Sequence, residues 1–135
     1  RAIMQAHAGV FRSQEVMNEG VKKIAELRAR IGNIGLKDNS KVFNTARVEA
    51  LEVENLMEAA QATMESAAAR QECRGAHLVR DYEYGADHAT APLGRDDVNW
   101  MKHTLWYMDG NRLDYKPVRM KPLTAETVPP KIRTF

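Results

Sequence analysis

Apolar residues recur at helical spacing through the first half of the chain and lose that spacing in the second. A short helical piece spans residues 2–8 and stops at Gly9. Ser13 is placed to cap a second helix, with Glu15 in its first turn facing the positive helix end. Along that helix Met17, Val21, Ile24, Leu27 or Arg28, and Ile31 recur, and Gly32, Asn33 and Gly35 end it. Lys37-Asp38-Asn39-Ser40 reads as a polar loop. The spacing predicts a longer helix from about Thr45 to Gln71, with Val53, Leu56, Met57, Ala60, Met64, Ala67 and Ala68 on one stripe. The stripe becomes alanine-rich toward its end. Small side chains there permit a close approach by another element, although alanine is also simply a good helix former.

All five prolines lie after residue 91. Residues 82–97 carry Gly85, Pro92 and Gly94 without periodicity and read as a long loop. His103–Tyr107 and Arg112–Tyr115 have strand composition, and Asp109-Gly110-Asn111 between them is a hairpin signal. The tail, with Pro122, Pro129 and Pro130, is expected to be extended and to lie on some surface. The expected fold is therefore mainly α: a spectrin-repeat-like bundle of about three helices, then a small β-hairpin and an extended proline-containing tail. Residues 1–72 would form the bundle, and residues 73–135 the loop, hairpin and tail.

A length of 135 residues suits one domain. The chain opens on Arg1 inside an amphipathic pattern, as a domain cut from a longer protein would. Twenty basic residues face 18 acidic ones for a net charge of +2, without the dense basic stripe of a nucleic-acid protein. Cys73 is the single cysteine, so no internal disulfide can form and a reducing compartment is the simpler setting. The apolar runs fall far short of the ~20 residues that span a bilayer.

The candidate chemistry is sparse. His7, His77, His88 and His103 include no pair at the i, i+4 spacing of a helical zinc site. Cys73 and His77 could suggest a nucleophilic pair, with Arg74 lowering the thiol pKa. The reading favoured here is a helix exit: Gly75 takes the awkward backbone angles, and Arg74 pairs with an acid such as Glu72 or Asp81. Arg95, Asp96 and Asp97 could hold a cation, but a helix N-cap leading through Trp100 and Lys102 accounts for them more simply. The sequence has no dinucleotide-binding glycine fingerprint, Walker loop or nucleophile elbow. No catalytic, cofactor-binding or metal residue is assigned.

Four segments taken together carry a resemblance. Met4-Gln5 with Ala8-Gly9-Val10-Phe11-Arg12 resembles the opening of the C-terminal domain in the succinate dehydrogenase and fumarate reductase flavoprotein family. Arg70-Gln71-Glu72-Cys73-Arg74-Gly75-Ala76-His77 resembles that family's Arg-x-Glu-Ser-Arg-Gly-Ala-His. Arg95-Asp96-Asp97 followed by Trp100 and His103-Thr104-Leu105 is similar to a third motif, and Val128-Pro129-Pro130-Lys131-Ile132-Arg133 to the family's ending. Asn44, Arg47, Glu49 and Leu51 also fit its helix start. Cys73 stands where a serine is usual, and residues 83–94 look longer than the common link.

The resemblance implies a piece of an FAD-dependent oxidoreductase whose complete subunit converts succinate to fumarate and passes electrons through an iron–sulfur subunit to a membrane quinone. The upstream FAD-binding and capping domains would lie outside this chain. So would the FAD site and the substrate-binding residues. Here Arg70, Glu72, Arg74, His77 and Arg95 would be structural or interface residues. The implied partners are the subunit's own FAD-binding domain and the iron–sulfur subunit, with self-association expected of the piece alone. The implied place is the cytoplasmic or matrix face of an inner membrane, reached through the complex. L-Aspartate oxidase is the nearest alternative family, and a free-standing helical interaction module the other reading.

Overall fold

The structure is a computed structural model that describes residues 1–83 and 94–130. Three helices come first: α1 (Ala2–His7), α2 (Gln14–Ala29) and α3 (Thr45–Ala69). A one-turn helix α4 (Asp97–Trp100) leads into an antiparallel hairpin of β1 (Lys102–Tyr107) and β2 (Arg112–Pro117). The mainly α architecture with a small hairpin agrees with the expectation from the sequence.

Local chemistry sets the helix ends. The Ser13 hydroxyl accepts the Val16 N–H at 3.3 Å to open α2. Asn44 Oδ1 accepts the Arg47 N–H at 2.8 Å to open α3, filling one of the donors a helix start leaves unpaired. Helix α3 closes at Ala69, two residues before the periodicity predicts, because Arg70 takes an extended backbone (φ −86°, ψ 105°).

The core lies between α2 and α3. Met17 and Ile24 of α2 pack with Met57 and Met64 of α3, and Cys73 and Val79 close the end of the layer. Each such side chain contributes roughly 1.5–3 kcal/mol on burial. The predicted stripe on α3 is only partly right. Met57 and Met64 are buried with Gln61 between them, whereas Val53 is 40% and Leu56 57% exposed. At 1.5 Å per residue, α2 is about 24 Å long and α3 about 37 Å, so part of α3 overhangs its partner. Val48 and Leu51, near the start of α3, are also exposed, which puts the overhang at that end.

The closest approach is at Gly20. A Cβ there would stand 2.5 Å from the His7 Cβ and 2.5 Å from the Met64 Cε. The gap lets α1 fold down on α2. His7 is buried, donates from Nδ1 to the Val16 carbonyl at 2.9 Å, and accepts on Nε2 from the Lys23 ammonium at 3.2 Å. Gln14 ties two further segments together, the end of α3 and the turn at residues 81–82. Its N–H donates to Asp81, its Nε2 to the Ala68 carbonyl at 2.8 Å, and its Oε1 accepts from the Tyr82 hydroxyl.

The hairpin turns through Gly110 (φ 69°) and Asn111 (φ 47°). Trp106 Nε1 donates to Asn111 Oδ1, and Asn111 Nδ2 donates to Glu65, each at 2.7 Å, so the turn is fastened to α3. Within the loop expected over residues 82–97, positions 84–93 lie outside the described residues. The tail carries no regular element, and residues 121–130 are exposed throughout, so they do not cover a surface of the described chain. Among the described residues no helix is long and apolar enough to cross a membrane.

Substituting Gly20→Ala should lower stability by about 1–2 kcal/mol in urea denaturation. Overpacking against His7 and Met64, typically 1–3 kcal/mol, outweighs the roughly 1 kcal/mol that alanine gains in a helix. Gly32→Ala, where a Cβ meets nothing within 4 Å, should change little.

Candidate functional site

The polypeptide leaves α3 at Arg70 and within seven residues builds a dense polar cluster. Glu72 is fully buried. A buried carboxylate is costly unless every oxygen is paired. Arg74 meets it with two bonds, Nε to Oε1 at 2.8 Å and Nη2 to Oε2 at 3.0 Å. Arg70 Nη1 bonds Oε1 from the other side, and the Asp96 N–H donates to Oε2 at 2.9 Å. Planar guanidinium groups suit this geometry because they present donors in a fixed fork.

Each arginine also reaches outward. Arg70 donates from Nη1 to the Trp100 carbonyl at 3.0 Å, and from Nη2 to the Lys102 carbonyl and the Thr104 hydroxyl. Its guanidinium lies 5.3 Å from the centre of the Trp100 ring, which Lys102 approaches at 4.7 Å. Arg74 Nη2 donates to Asp97 Oδ1 at 2.7 Å, and Arg95 reaches the other Asp97 oxygen at 2.8 Å. Asp96 caps α4 by accepting from the Val98 and Asn99 N–H groups. The end of α3, the start of α4 and the first residues of β1 therefore share one ionic knot.

The remaining motif residues shape the turn. Gly75 sits at φ +59°, which lets Arg74 and His77 exchange backbone hydrogen bonds at 2.9 and 3.0 Å. His77 Nε2 donates to the Arg70 carbonyl at 3.0 Å. Burial lowers the His77 pKa against the pull of that bond, and the neighbouring Arg12 and Arg70 charges lower it further. The Cys73 thiol donates to the Val79 carbonyl at 3.2 Å and accepts the Val79 N–H at 3.3 Å. Burial pushes its pKa up, the reverse of what an activated nucleophile needs. The helix-exit reading of this segment holds, and Arg74 takes Glu72 and Asp97 rather than Asp81, whose carboxylate is turned to Gln14.

Of the five residues singled out from the sequence, Arg70, Glu72 and Arg74 meet directly. His77 joins through the Arg70 carbonyl, and Arg95 through Asp97. Asp97, Trp100 and Thr104 went unrecognised as members. The signal that could have found them is the pairing of an acidic helix start with a preceding basic turn. Among the described residues, no group of three or more His, Cys, Asp or Glu side chains could hold a metal ion.

The profile of the family described as fumarate reductase flavoprotein C-term matches residues 1–135. The chain belongs to that family. It is 43% identical over 133 residues to the succinate dehydrogenase flavoprotein subunit of Coxiella burnetii, covering 98% of this chain and 21% of that protein. It is 45% identical over 137 residues to the corresponding subunit of Rickettsia conorii, again with 98% and 21% coverage. A solved mutant E. coli quinol fumarate reductase FrdA chain superposes with a TM-score of 0.75 at 34% identity, over 95% of this chain and 21% of that one. The chain thus spans about a fifth of the length of the curated flavoprotein relatives it matches.

Arg70→Ala and Arg74→Ala should each cost about 2–4 kcal/mol in urea denaturation followed by tryptophan fluorescence, because each leaves the buried Glu72 short of a partner. Arg95→Ala should cost less, about 1 kcal/mol, because the exposed Asp97 carboxylate it pairs with keeps Arg74. The knot also predicts acid sensitivity. A histidine whose folded pKa lies below its unfolded value contributes stability above the unfolded value, here 6.5, and loses it as pH falls toward the lowered one. Asp97 is held low by Arg74 first and then Arg95, and Asp96 by the Asn99 N–H; both add a second loss below about pH 4. Stability should fall from pH 7 to 5, and His77→Gln should flatten that slope without altering the lower step.

Proposed function

We propose that this chain is the C-terminal helical domain of a succinate dehydrogenase flavoprotein subunit, and that its work is to support and pack the flavin domain. The carrying observation is the closed Glu72 knot. Both Glu72 oxygens are filled from within the chain, and Arg70 and Arg74 are engaged in fastening helix to hairpin. Strong cations spent in this way serve architecture. The relatives at 43% and 45% identity are named succinate dehydrogenase, which supports succinate as the substrate of the complete subunit.

FAD, bound by the rest of the subunit, supplies the two-electron chemistry there. The described residues of this chain do not fit a dinucleotide. The starts of α2, α3 and α4 are occupied by their own Ser13, Asn44 and Asp96 side chains, and the sequence has no dinucleotide-binding glycine fingerprint that would open a helix start to a pyrophosphate. An iron–sulfur subunit would carry the electrons on to a membrane quinone. The whole assembly would sit on the cytoplasmic or matrix face of the membrane.

Purified chain mixed with FAD and desalted should retain well below ~0.1 flavin per chain, since the cofactor site lies elsewhere. In the full-length subunit, Arg74→Ala should reduce the yield of assembled, flavin-loaded complex severalfold while turnover per flavin stays within about twofold. A complex that assembles normally but turns over a thousandfold more slowly would overturn the supporting role.

A further inference from the structure

The loop before α3 presents an aromatic ring in a way the chain's own stability does not explain. Phe43 is 97% exposed and has φ +52°, a left-handed conformation that costs a bulky residue energy. The loop that imposes it is well tied. Asp38 Oδ1 accepts the Ser40 N–H at 2.8 Å. Asn44 Nδ2 donates to the carbonyls of Asp38 and Ser40 at 2.9 and 3.0 Å, and the Thr45 N–H bonds the Phe43 carbonyl at 3.0 Å. Phe43 directly precedes the Asn44 cap and Val48 is the fourth helical residue, so the two could close a hydrophobic staple over the helix start. They do not, because the ring stands in water and Val48 is itself exposed. Strain is being held to keep the ring out.

Val42 (70% exposed) and Leu51 are likewise uncovered, so the ring belongs to an apolar patch on the overhanging end of α3. Its loop side carries three cations, with the acids Glu49 and Glu52 further along α3. Lys37, Lys41 and Arg47 are exposed and belong to none of the ion pairs among the described residues, while Asp38 is spent on the Ser40 N–H. A rigid exposed aromatic with a charged surround has the character of an interface anchor. About four-fifths of each relative's chain lies outside the matched region, and that remainder is the occupant the patch fits. We propose that Phe43 is the anchor by which this domain docks on the preceding part of its flavoprotein subunit, its ring filling an apolar pocket with an acidic rim. This rests on the supporting role proposed above and adds the surface and the residue.

The test uses the 135-residue chain and a full-length Coxiella burnetii subunit carrying these 135 residues in place of its matched region. Phe43→Asn removes the ring and keeps a residue that tolerates positive φ; Phe43→Trp keeps an aromatic anchor. In the chain alone, Phe43→Asn should leave the melting temperature unchanged or raised. In the subunit it should speed tryptic release of the C-terminal domain by about tenfold or more, with Phe43→Trp close to wild type. Release of Phe43→Asn at the wild-type rate would overturn the anchor and leave the supporting role standing. If even the wild-type domain is cut away without protection, the supporting role fails and the anchor with it. A drop in melting temperature for Phe43→Asn alone, or a dimer of the free chain dispersed by that change, would assign the ring to this domain's own packing or to a second copy, and overturn the proposal.

Discussion

The buried carboxylate of Glu72 is the constraint around which the rest of the polar structure is arranged. A charge with no exposed surface is tolerated only where donors converge on it, and three do: Arg70, Arg74 and the Asp96 N–H. Each donor comes from a different place. Arg70 ends α3, Arg74 stands on the Gly75 turn, and Asp96 opens α4. Satisfying Glu72 therefore brings three segments to one point. Arg70 then uses its remaining donors on Trp100, Lys102 and Thr104, which fixes where β1 starts. Buried ion pairs are weak guarantors of net stability but strong specifiers of arrangement, and here the arrangement is the docking of a hairpin on a helix bundle.

The two ends of the molecule are built differently. At the Glu72 end, polar groups are consumed internally, and the hairpin turn is pinned again through Asn111 and Glu65. At the other end, α3 runs past α2, and an open groove of about 490 Å³ lies between the helices, lined by Ile3, Met4, Leu27, Val53 and Leu56 with Glu49 and Glu52 among them. Met57 and Met64, by contrast, belong to the bundle's own core. Uncovered apolar residues at that end include Val42, Phe43, Val48, Leu51 and Leu56. A domain closed at one end and open at the other suits a part of a larger subunit, in keeping with relatives of which it spans a fifth.

What the sequence alone determined is local. Ser13 and Asp96 announce helix starts because a cap needs only the backbone beside it; both cap as read, although α4 stops at Trp100 and Lys102 opens β1. Gly75 and the Asp109-Gly110-Asn111 turn were legible because positive φ is a property of single residues. The four family-like segments, read in order along the chain, pointed to the right family. What only the tertiary structure decided depends on distance along the chain. Arg70 reaches Lys102 and Thr104 across more than thirty residues, and no periodicity carries that information. Periodicity placed Leu56 and Met57 on the same stripe, yet one is exposed and the other buried, because neighbours on a helix lie about 100° apart around its axis and only the tertiary packing decides which arc α2 covers. Composition marks Glu72 as a surface residue; its burial follows from two arginines and a backbone N–H that meet only once the chain has folded.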